Sequence, residues 1–383
     1  MALAVRGVAI LGSTGSIGRS ALAVLERHPD RFRVVALAAH RNAEVLTEQV
    51  ARHRPGLAVL GGGVQPRPAG FAGAWACGRE GLLAAATHPE ADIVVNAVVG
   101  AAGLEATLAA LDAGKRLALA NKESLVAGGP LVLDALRRGG GELVPIDSEH
   151  SAILQCLQGT ASRDVRRLIL TASGGPFRGW SAAALEGATP EAALRHPTWR
   201  MGAKITVDSA TLANKALEVI EAHFLFGMPY EAIEVVVHPQ SVIHSMVELA
   251  DGSVLAQMGF PTMELPILFA LTYPERLADA GVPVFDPVAA RSLTFEAVDG
   301  AGFPMLRLGV EAGRSGGTAP AIFNAANEVA VAGFLAGNLP FRAIPAVVED
   351  ALGAQAAQPV DCLDTVLEAD RRARATVRGR LEC

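Results

Sequence analysis

The N-terminal part of the chain alternates short apolar runs with helix-like stretches, and no other feature of the sequence constrains the fold so strongly. In order, the apolar runs are "GVAIL", "RVVALAA", "GLAVL", "DIVVNAVV", "RLALAN" and "ELVPID". Strands that are apolar on both faces are typical of a parallel sheet with helices on each side. Residues 1 to 146 are therefore predicted to form a doubly wound parallel sheet, with helices that include Ser16 to Arg27, Ala43 to Arg52 and Ala101 to Ala113.

A glycine-rich turn follows the first predicted strand. In "AILGSTGSIGRSAL", Gly12, Gly15 and Gly18 stand between that strand and the first helix, and Thr14 replaces the middle glycine of the G-x-G-x-x-G pattern. Glycine lets the backbone approach a pyrophosphate, and the helix N-terminus supplies amides with partial positive charge. We expect a Rossmann-like dinucleotide site at this turn, with a βα turn that binds nothing as the alternative.

The end of the second predicted strand indicates which dinucleotide binds. NAD enzymes place an acidic residue there to hold the ribose hydroxyls, whereas NADP enzymes use basic and polar groups. This chain has His40, Arg41 and Asn42, with no acid before Glu44. We therefore predict NADPH, with Arg41 on the 2′-phosphate.

From residue 147 the pattern changes to mixed helix and strand signals. Helices are expected at Ser151 to Gln158 and at Asp208 to Phe226, with strands such as "RLILTAS" and "IEVVVHP". Asp251-Gly252 lies between two strand-like runs and predicts a hairpin. Residues 147 to 275 are predicted to form an α+β domain with an antiparallel component.

The remaining residues are predicted to form a connector and a small helical domain. Residues 276 to 298 contain several Pro and Ala residues with little periodicity, whereas residues 299 to 383 contain Ala-rich helical stretches bounded by Pro and Gly. The predicted helices of this last domain are Pro320 to Gly337, Pro340 to Ala354 and Asp364 to Val377.

Three acidic residues point to a metal site. Asp147 and Glu149 follow the strand "ELVPI". In an extended segment they would point to the same side, unless a helix starts at once, and like charges held together need a cation or a shared proton. Glu218 shares a helix face with Asn214 and Lys215, and a solvated ion pair is the alternative interpretation. Three carboxylates would suit Mg²⁺ or Mn²⁺ and not zinc, although the sequence cannot bring residues 147 and 218 together.

Further polar residues lie where a substrate could bind. "TASGGPF" (Ser173 to Phe177) can wrap an anion with backbone amides, although an ordinary tight turn is the simpler interpretation. Asn121, Lys122 and Glu123 follow a parallel strand at the sheet edge where ligands bind, and Lys122 is one of only four lysines among 33 basic residues.

Two more segments have open interpretations. "RHPTWRMG" contains His196, Trp199 and Met201 and is interpreted as a lid, with anchoring of the loop to the core by Trp199 as the alternative. Asp208 or Ser209 is expected to cap the helix that follows.

Composition excludes several classes of protein. A formal net charge of −6 without a basic cluster argues against nucleic acid as the main partner. Uncharged runs are short, so none is expected to cross a membrane, and "MALAVRGVAILG" leads into the first turn without a secretory segment. Cys77, Cys156, Cys362 and Cys383 have neither metal-ligand nor disulfide spacing, which favours a cytoplasmic location.

Several long motifs resemble, in order and over nearly the whole chain, the 1-deoxy-D-xylulose 5-phosphate reductoisomerase family. They are "GSTGSIG", "NAVVGAAGLEATLAALDAGK", "LANKESLVAGG", "PIDSEHSAI", "TASGGPFR", "HPTWRMGAKITVDSATLANKALEVIEAHFLF", "HPQSVIHSMVE" and "FNAANEVAVAGFL". The resemblance implies a three-domain homodimer that uses NADPH and a divalent cation, Mg²⁺ or Mn²⁺ with Co²⁺ as a further candidate. The implied reaction converts 1-deoxy-D-xylulose 5-phosphate, a small phosphorylated ketose, to 2-C-methyl-D-erythritol 4-phosphate for isoprenoid synthesis.

The resemblance also implies roles for single residues. The implied metal ligands are Asp147, Glu149 and Glu218, and the implied catalytic residues are Lys122, Glu149 and Glu218. Substrate contacts are implied for Lys122, Ser148, Ser173, His196, Ser209, Asn214 and Lys215, and Glu123 is expected to contact the substrate from its position after the parallel strand. NADPH contacts are implied for Thr14, Gly15, Ser16, Ile17, Asn42, Asn121 and Gly202, in addition to the contact predicted above for Arg41. His196, Trp199 and Met201 are expected in a flap over the substrate, and residues 147 to 275 are expected to carry the dimer contacts.

The chain departs from the family in two places. The family commonly has Gly-Lys-Asn where this chain has His40-Arg41-Asn42, which keeps a cation but changes its geometry. The family often has Asp-Met-Arg where this chain has Thr262-Met263-Glu264, so we assign no ligand role to that segment.

Two other classes of protein could share some of these features. A semialdehyde dehydrogenase needs an acylable cysteine, and Cys156 lies within a predicted helix without a nearby histidine. A catalytically silent NADP-sensing protein would need no acidic cluster, so binding of NADPH without any turnover would favour it.

Overall fold

The computed structural model describes residues 4 to 63 and 66 to 382, which form two compact units. The first unit comprises the chain up to Ser124 together with Leu131–Ser151 and Thr262–Val282. The second comprises Leu125–Pro130, Ala152–Pro261 and the chain from Pro283 onwards. Cys383 lies outside the described residues.

The first unit is built on a parallel sheet. Within the described residues the sheet has seven strands in the order β4-β3-β2-β1-β5-β6-β7, and all neighbours pair in parallel. The strands are β1 (Arg6–Leu11), β2 (Phe32–Ala39), β3 (Leu57–Leu60), β4 (Ala74–Cys77), β5 (Ile93–Asn96), β6 (Arg116–Leu119) and β7 (Glu142–Pro145). The central strands are almost wholly buried, since both faces are apolar, and this confirms the predicted doubly wound sheet.

Helices alternate with these strands. In chain order they are α1 (Ser16–Arg27), α2 (Ala43–His53), α3 (Gly78–Ala86), α4 (Ala102–Asp112), α5 (Lys122–Gly139) and α6 (Ser148–Cys156). The bounds of α1 coincide with the prediction, whereas β4 and α3 were not predicted. They follow a Gly- and Pro-rich stretch whose pattern favours a loop.

The second unit contains a four-stranded mixed sheet in the order β11-β10-β8-β9, counted over the residues that the structure describes. Its strands are β8 (Val165–Ala172), β9 (Ile233–Val237), β10 (Ile243–Leu249) and β11 (Val254–Met258). β10 pairs antiparallel with both β8 and β11, and Gly252 between β10 and β11 has a positive φ of 86°. The predicted α+β character and hairpin are therefore confirmed.

The later helices complete the chain. They are α7 (Ala182–Leu185), α8 (Pro190–Ala193), α9 (Ala203–Thr211), α10 (Ala213–Phe226), α11 (Glu264–Thr272), α12 (Pro287–Ala290), α13 (Met305–Ser315), α14 (Ala319–Leu335), α15 (Ile344–Gly353) and α16 (Leu363–Leu381). In the second unit, α10, α13 and α14 share an apolar core that includes Leu217, Leu308 and Phe323. The predicted helical C-terminal region is confirmed.

One predicted helix was wrong. The stretch from Asp208 to Phe226 is two helices, because Leu212 adopts a left-handed conformation (φ 64°, ψ 11°) that ends α9 and begins α10. Asp208 and Ser209 therefore lie inside α9 and cap no helix, and Asp208 is only 1% exposed. An apolar run with helical periodicity does not reveal such a break, because the turn's backbone angles are unusual for leucine.

Of the two conformations considered for the acidic pair, the structure contains the helix and not the extended segment. α6 begins at Ser148, so Glu149 lies in its first turn and Asp147 immediately precedes it. The main chain shows this directly, since the Ser151 amide donates to the Asp147 carbonyl over 2.8 Å. The acids are therefore placed by a helix N-terminus and not by strand alternation.

The two units divide the chain differently from the four predicted segments. Thr262–Val282, which includes α11, belongs to the first unit, where Arg27 of α1 donates to Asp279 over 2.7 Å and to Glu264 over 2.6 Å. Asp279 has a side chain only 1% exposed, so this ion pair ties a late segment to an early helix. The predicted functional boundaries stay a prediction.

None of the helices that the structure describes is both long and apolar enough to cross a membrane.

Candidate functional site

The glycine-rich turn lies between β1 and α1, where glycine is required twice. Gly12 has a φ of 86°, and a Cβ atom there would lie 2.4 Å from the Ala97 carbonyl oxygen. A Cβ on Gly18 would lie 2.4 Å from the Gly12 carbonyl oxygen. α1 begins after Gly15 without a side-chain cap and without an acid in its first turn. The N-terminal amides of α1 are thus in a setting that suits an anion.

A buried pair of hydrogen bonds holds this turn to α2, and sequence reasoning missed it. The Ser13 hydroxyl donates to the Gln49 side-chain oxygen over 2.7 Å, and the Gln49 amide donates back to the Ser13 carbonyl over 2.8 Å. Ser13 is fully buried and Gln49 is 8% exposed. The signal in the sequence was a glutamine on the apolar face of an amphipathic helix.

The start of α2 forms one side of an open cavity. Asn42 caps the helix by accepting a hydrogen bond from the Val45 amide over 3.1 Å. A cavity of about 400 Å³ is lined by Arg41, Asn42, Ala43, Glu44 and Thr47. Arg41 is exposed, so its guanidinium can reach a ligand there. Glu44 in the same lining adds a negative charge that sequence reasoning had not placed.

The segment after β6 contributes a buried cation. Asn121 caps α5, since its side-chain oxygen accepts from the Ser124 amide over 3.0 Å while its amide donates to the Val98 carbonyl over 2.7 Å and to Glu123 over 2.9 Å. Lys122, 6% exposed, lies with its ammonium 2.9 Å from an Asp147 carboxylate oxygen. The first unit therefore brings Lys122 and Asp147 together, as their positions at neighbouring strand ends would allow.

The first turn of α6 organises the acidic pair. The second Asp147 oxygen accepts from the Glu149 amide over 3.2 Å and lies 3.4 Å from the His150 ring nitrogen. The Ser148 hydroxyl donates to Glu149 over 2.5 Å. Asp147 thus lies beside a lysine, a histidine and the start of a helix, which are groups that stabilise a negative charge.

The second unit contributes a further buried acid. Glu218 on α10 is 1% exposed and accepts hydrogen bonds from Asn214 and Lys215, one turn earlier on the same face. The Lys215 side chain is 4% exposed, so the alternative of a solvated ion pair was wrong. A buried charge pair is costly to break, because either partner alone would remain desolvated.

The later turns of α6 belong to the apolar core of the second unit. Ile153 lies in a buried cluster with Val219 and Ala222 of α10. Val219 is the residue that follows Glu218. The packing of Ile153 thus places this part of α6 against the helix that contains Glu218.

The glycine loop after β8 brings together two predicted substrate residues. Gly174 and Gly175 have φ values of 83° and 69°, and a Cβ on Gly175 would lie 2.5 Å from the Ser209 carbonyl oxygen of α9. The Ser173 hydroxyl lies 2.9 Å from the His196 Nε2 atom and accepts from the Gly175 amide over 3.2 Å. Small residues therefore let this loop approach both α9 and the His196 loop.

His196 organises the segment interpreted as a flap. Its Nδ1 atom accepts from the Thr198 amide over 3.1 Å and from the Trp199 amide over 2.9 Å, so the proton lies on Nε2, toward Ser173. Burial lowers the pKa of His196. Met201 precedes Gly202, which caps α9.

His238 is one of two buried groups near this segment that sequence reasoning missed. Its Nε2 atom accepts from the Val242 and Ile243 amides over 3.2 and 3.1 Å, and these bonds hold the turn between β9 and β10. The carbonyl of the adjacent Pro239 accepts from the Thr198 hydroxyl over 3.5 Å. His238 thus supports the turn that the flap segment contacts.

The second buried interaction that sequence reasoning missed joins Asp208 to Asn327. The Asp208 carboxylate accepts from the Asn327 amide of α14 over 2.8 Å and lies 2.8 Å from the Lys204 ammonium one turn earlier in α9. Asp208 and Asn327 are 1% and 0% exposed. The C-terminal helices thereby hold the helix that contains Ser209. The motifs "HPQSVIHSMVE" and "FNAANEVAVAGFL" contain His238 and Asn327, but no chemistry had been assigned to them.

Comparisons with known proteins agree with these motifs. Residues 8–129 match the family model for 1-deoxy-D-xylulose 5-phosphate reductoisomerase, residues 143–226 match its C-terminal domain model, and residues 258–376 match a further C-terminal domain model of the same enzyme. A reductoisomerase of Symbiobacterium thermophilum is 53% identical, over 97% of this chain and 98% of the relative.

Two similar solved structures are also reductoisomerases. The reductoisomerase of Zymomonas mobilis in complex with NADPH has a TM-score of 0.91 and 44% identity, over 99% of this chain and 100% of that one. A reductoisomerase in complex with NADPH, fosmidomycin and magnesium has a TM-score of 0.93 and 40% identity, over 99% of this chain and 98% of that one. The chain therefore belongs to the 1-deoxy-D-xylulose 5-phosphate reductoisomerase family.

Proposed function

We propose that this chain converts 1-deoxy-D-xylulose 5-phosphate to 2-C-methyl-D-erythritol 4-phosphate, with NADPH and a divalent cation, in isoprenoid precursor synthesis. The observation that carries this proposal is the family relationship, which covers 97% of the chain at 53% identity. The reaction has two stages, a rearrangement of the carbon skeleton and a hydride transfer from NADPH.

NADPH is assigned to the glycine-rich turn and the start of α2. Thr14, Gly15, Ser16 and Ile17 offer the amides at the start of α1 to the pyrophosphate, and Arg41 with Asn42 lines the cavity where the 2′-phosphate would lie. Asn121 and Gly202 complete the proposed set. A related enzyme binds NADPH, which supports the choice of cofactor.

The metal is assigned to Asp147, Glu149 and Glu218. The start of α6 supplies the first two carboxylates and α10 supplies the third. An oxygen-only set suits Mg²⁺, which a related enzyme binds, and Mn²⁺ and Co²⁺ are further candidates. His150 follows Glu149 directly, but an imidazole nitrogen suits a hard cation less well than a carboxylate does.

The substrate phosphate is assigned to the region around α9 and α10. Ser173, His196, Ser209, Asn214 and Lys215 supply hydroxyl, imidazole, amide and ammonium donors, the groups that bind phosphate oxygens. Lys122, Glu123 and Ser148 are assigned to the reacting end of the substrate. The proximity of Lys122 to Asp147 supports this division, since the ammonium then lies beside a proposed metal ligand.

The mechanism follows from these assignments. The bound cation would supply Lewis-acid polarisation of neighbouring substrate oxygens in both stages. Lys122, as catalytic residue, holds a proton and a positive charge beside the same oxygens, while Glu149 and Glu218 carry the charge that balances them. Lys215 and Asn214 bind the remote phosphate, and this binding energy helps His196, Trp199 and Met201 to cover the site and exclude water.

A homodimer is proposed from the second sheet. β11 is an edge strand of that sheet, with Val254, Leu255 and Met258 being 49%, 40% and 37% exposed. Apolar side chains on an edge strand are covered in most stable proteins, and a second copy of the catalytic region would cover them here. Light scattering on the purified protein tests this, and a monomer at micromolar concentration would contradict it.

We also propose that the four predicted segments of the chain have different functions. Residues 1 to 146 would bind NADPH, residues 147 to 275 would hold metal and substrate and form the dimer, residues 276 to 298 would connect, and residues 299 to 383 would support α9 and α10. The cytoplasm is proposed as the location, because NADPH and the phosphorylated substrate are intracellular metabolites.

One assay tests the function. NADPH oxidation is followed with 1-deoxy-D-xylulose 5-phosphate, with and without Mg²⁺ or Mn²⁺, and with NADH in parallel. We expect turnover that needs both NADPH and the cation. NADPH binding without turnover would favour the sensing protein, and turnover that persists after chelation would contradict the metal assignment.

A further inference from the structure

We propose that Gln49 is a positioning residue for the cofactor: it fixes the shape of the glycine-rich turn through Ser13 and so sets the affinity for NADPH. This inference rests on the proposed function, because it assumes that the turn from Thr14 to Ile17 binds the pyrophosphate.

The contact is specific and reciprocal. Gln49 uses its side-chain oxygen to accept from the Ser13 hydroxyl over 2.7 Å and its amide to donate to the Ser13 carbonyl over 2.8 Å. Both residues are buried, so water does not compete for these bonds. A side-chain amide matches a hydroxyl and a carbonyl of one residue at the same time, which no apolar side chain can do.

The Ser13 backbone is constrained from the other side as well. Its amide donates to the Ala38 carbonyl near the end of β2 over 2.9 Å, and the adjacent Gly12 amide donates to the same carbonyl over 2.8 Å. A Cβ on Gly18 would lie 2.6 Å from the Ser13 Cα atom, so α1 closes over the residue. The Gln49 bonds add the link between Ser13 and α2.

The position of Gln49 on α2 connects the two parts of the proposed cofactor site. Asn42 caps α2, and Gln49 lies seven residues further on, about 10 Å along the helix axis. Arg41 and Asn42 at the start of α2 therefore lie on the proposed adenosine side, and Gln49 further along α2 holds the turn on the proposed pyrophosphate side. Loss of the Gln49 bonds would let the two parts move relative to each other, and binding would then have to order them.

The main test is Gln49→Leu, which keeps the volume and burial but removes both bonds. We expect the NADPH Kd and the KM for NADPH to rise about tenfold, because a buried carbonyl and hydroxyl lose their partners. At saturating NADPH, kcat and the KM for the substrate should stay within about twofold. If Gln49 had a purely structural role, Gln49→Leu would lower the stability of the protein without raising the Kd and KM for NADPH more than the KM for the substrate.

Val50→Ala is the matched control. Val50 is a buried neighbour on α2 that is 3% exposed, and its truncation destabilises the helix packing while leaving the bonds between Gln49 and Ser13 in place. If Val50→Ala weakens NADPH binding as much as Gln49→Leu does, the positioning role is overturned.

Ser13→Ala, alone and combined with Gln49→Leu, tests whether Gln49 acts through Ser13. Ser13→Ala removes the hydroxyl bond alone, so we expect a smaller rise in the NADPH Kd than for Gln49→Leu. Combined with Gln49→Leu, it should add little, because the bond it removes is already lost. Additive effects of the two substitutions would mean that Gln49 does not act through Ser13.

The same series separates this inference from the proposed function. Gly15→Asp places a carboxylate where the pyrophosphate is proposed to lie and should abolish NADPH binding. If Gly15→Asp binds NADPH normally, the proposed site is wrong. If Gly15→Asp fails to bind and Gln49→Leu binds normally, the site stands and the role of Gln49 is wrong.

Discussion

The glycine-rich turn and the buried ion pairs satisfy their polar groups in different ways. The turn is held by neutral hydrogen bonds, such as those between Ser13 and Gln49, that need not break when a ligand binds. The charged residues are instead paired with each other, Lys122 with Asp147 in the first unit and Lys215 with Glu218 in the second.

This difference indicates how each region is expected to respond to its ligand. The turn is preorganised, so NADPH would bind to a shape that already exists. Asp147 and Glu218, in contrast, are paired with lysines that the proposal also assigns to the substrate. A metal ion and a phosphorylated substrate would take over those charges, so these pairs must exchange partners on binding.

The largest effect is expected for Glu218→Gln. Loss of a carboxylate from the proposed metal set should lower kcat/KM on the order of 10³-fold, while the NADPH Kd stays within about twofold. Steady-state kinetics and direct NADPH titration measure both. Equal loss of activity and NADPH affinity would remove the distinction between the two regions.

Glu221→Gln is the matched control, since Glu221 is equally buried on α10 at 1% exposed. If metal activation depends on Glu221 and not on Glu218, the assignment of Glu218 to the metal is wrong.

Lys215→Met should affect both stability and substrate binding. The variant leaves Glu218 without this buried partner, so the free energy of unfolding should fall by about 3–5 kcal/mol without metal, and added Mg²⁺ should restore part of it. The KM for the substrate should rise about 10- to 100-fold. Denaturant unfolding with and without Mg²⁺, together with kinetics, measures these effects, and an unchanged KM would count against a phosphate contact.

Arg41→Ala tests the cofactor side of the comparison. Loss of the guanidinium should raise the NADPH Kd about tenfold and leave the NADH Kd within about twofold, because only NADPH carries the 2′-phosphate. Arg52→Ala is the control, since Arg52 lies on the adjoining helix α2 with a side chain 70% exposed. Equal losses for both cofactors would contradict the assignment.

The smallest effect concerns pH and His196. Burial lowers the pKa of His196, and its Nδ1 atom accepts two amide bonds, so the folded protein favours the neutral ring. As the pH falls below about 6.5, the unfolded chain takes up this proton first, and the free energy of unfolding should decrease. Above that pH this histidine should have no effect. The free energy of unfolding, measured at several pH values in this range, should depend on pH more steeply for the wild type than for His196→Gln. The same pH dependence in both proteins would contradict the prediction.

Local patterns predicted much of the fold. The bounds of α1, the parallel sheet and the Asp251-Gly252 hairpin followed from periodicity and turn residues that act over a few positions. Leu212 is the contrary example, since its left-handed conformation divides a continuous apolar run into two helices. Nothing in the residue itself indicates that break, because tertiary packing selects it.

The candidate site shows the same division. Asp147, Glu149 and Glu218 were predicted to hold a cation, and Lys122 was selected because lysine is rare in this chain. The partners were not recognisable, since Lys122 pairs with an acid 25 positions away and Gln49 with a serine 36 positions away.

The sequence by itself determined the strand and helix alternation, the glycines of the nucleotide turn and the types of ligand the acids could accept. Only the tertiary structure decided which buried groups satisfy one another: Lys122 with Asp147, Ser13 with Gln49, and Asp208 with Asn327. The physical reason is that periodicity and turn chemistry act between near neighbours in the chain, whereas the pairing of a buried polar group depends on which distant residue the packed core brings within about 3 Å.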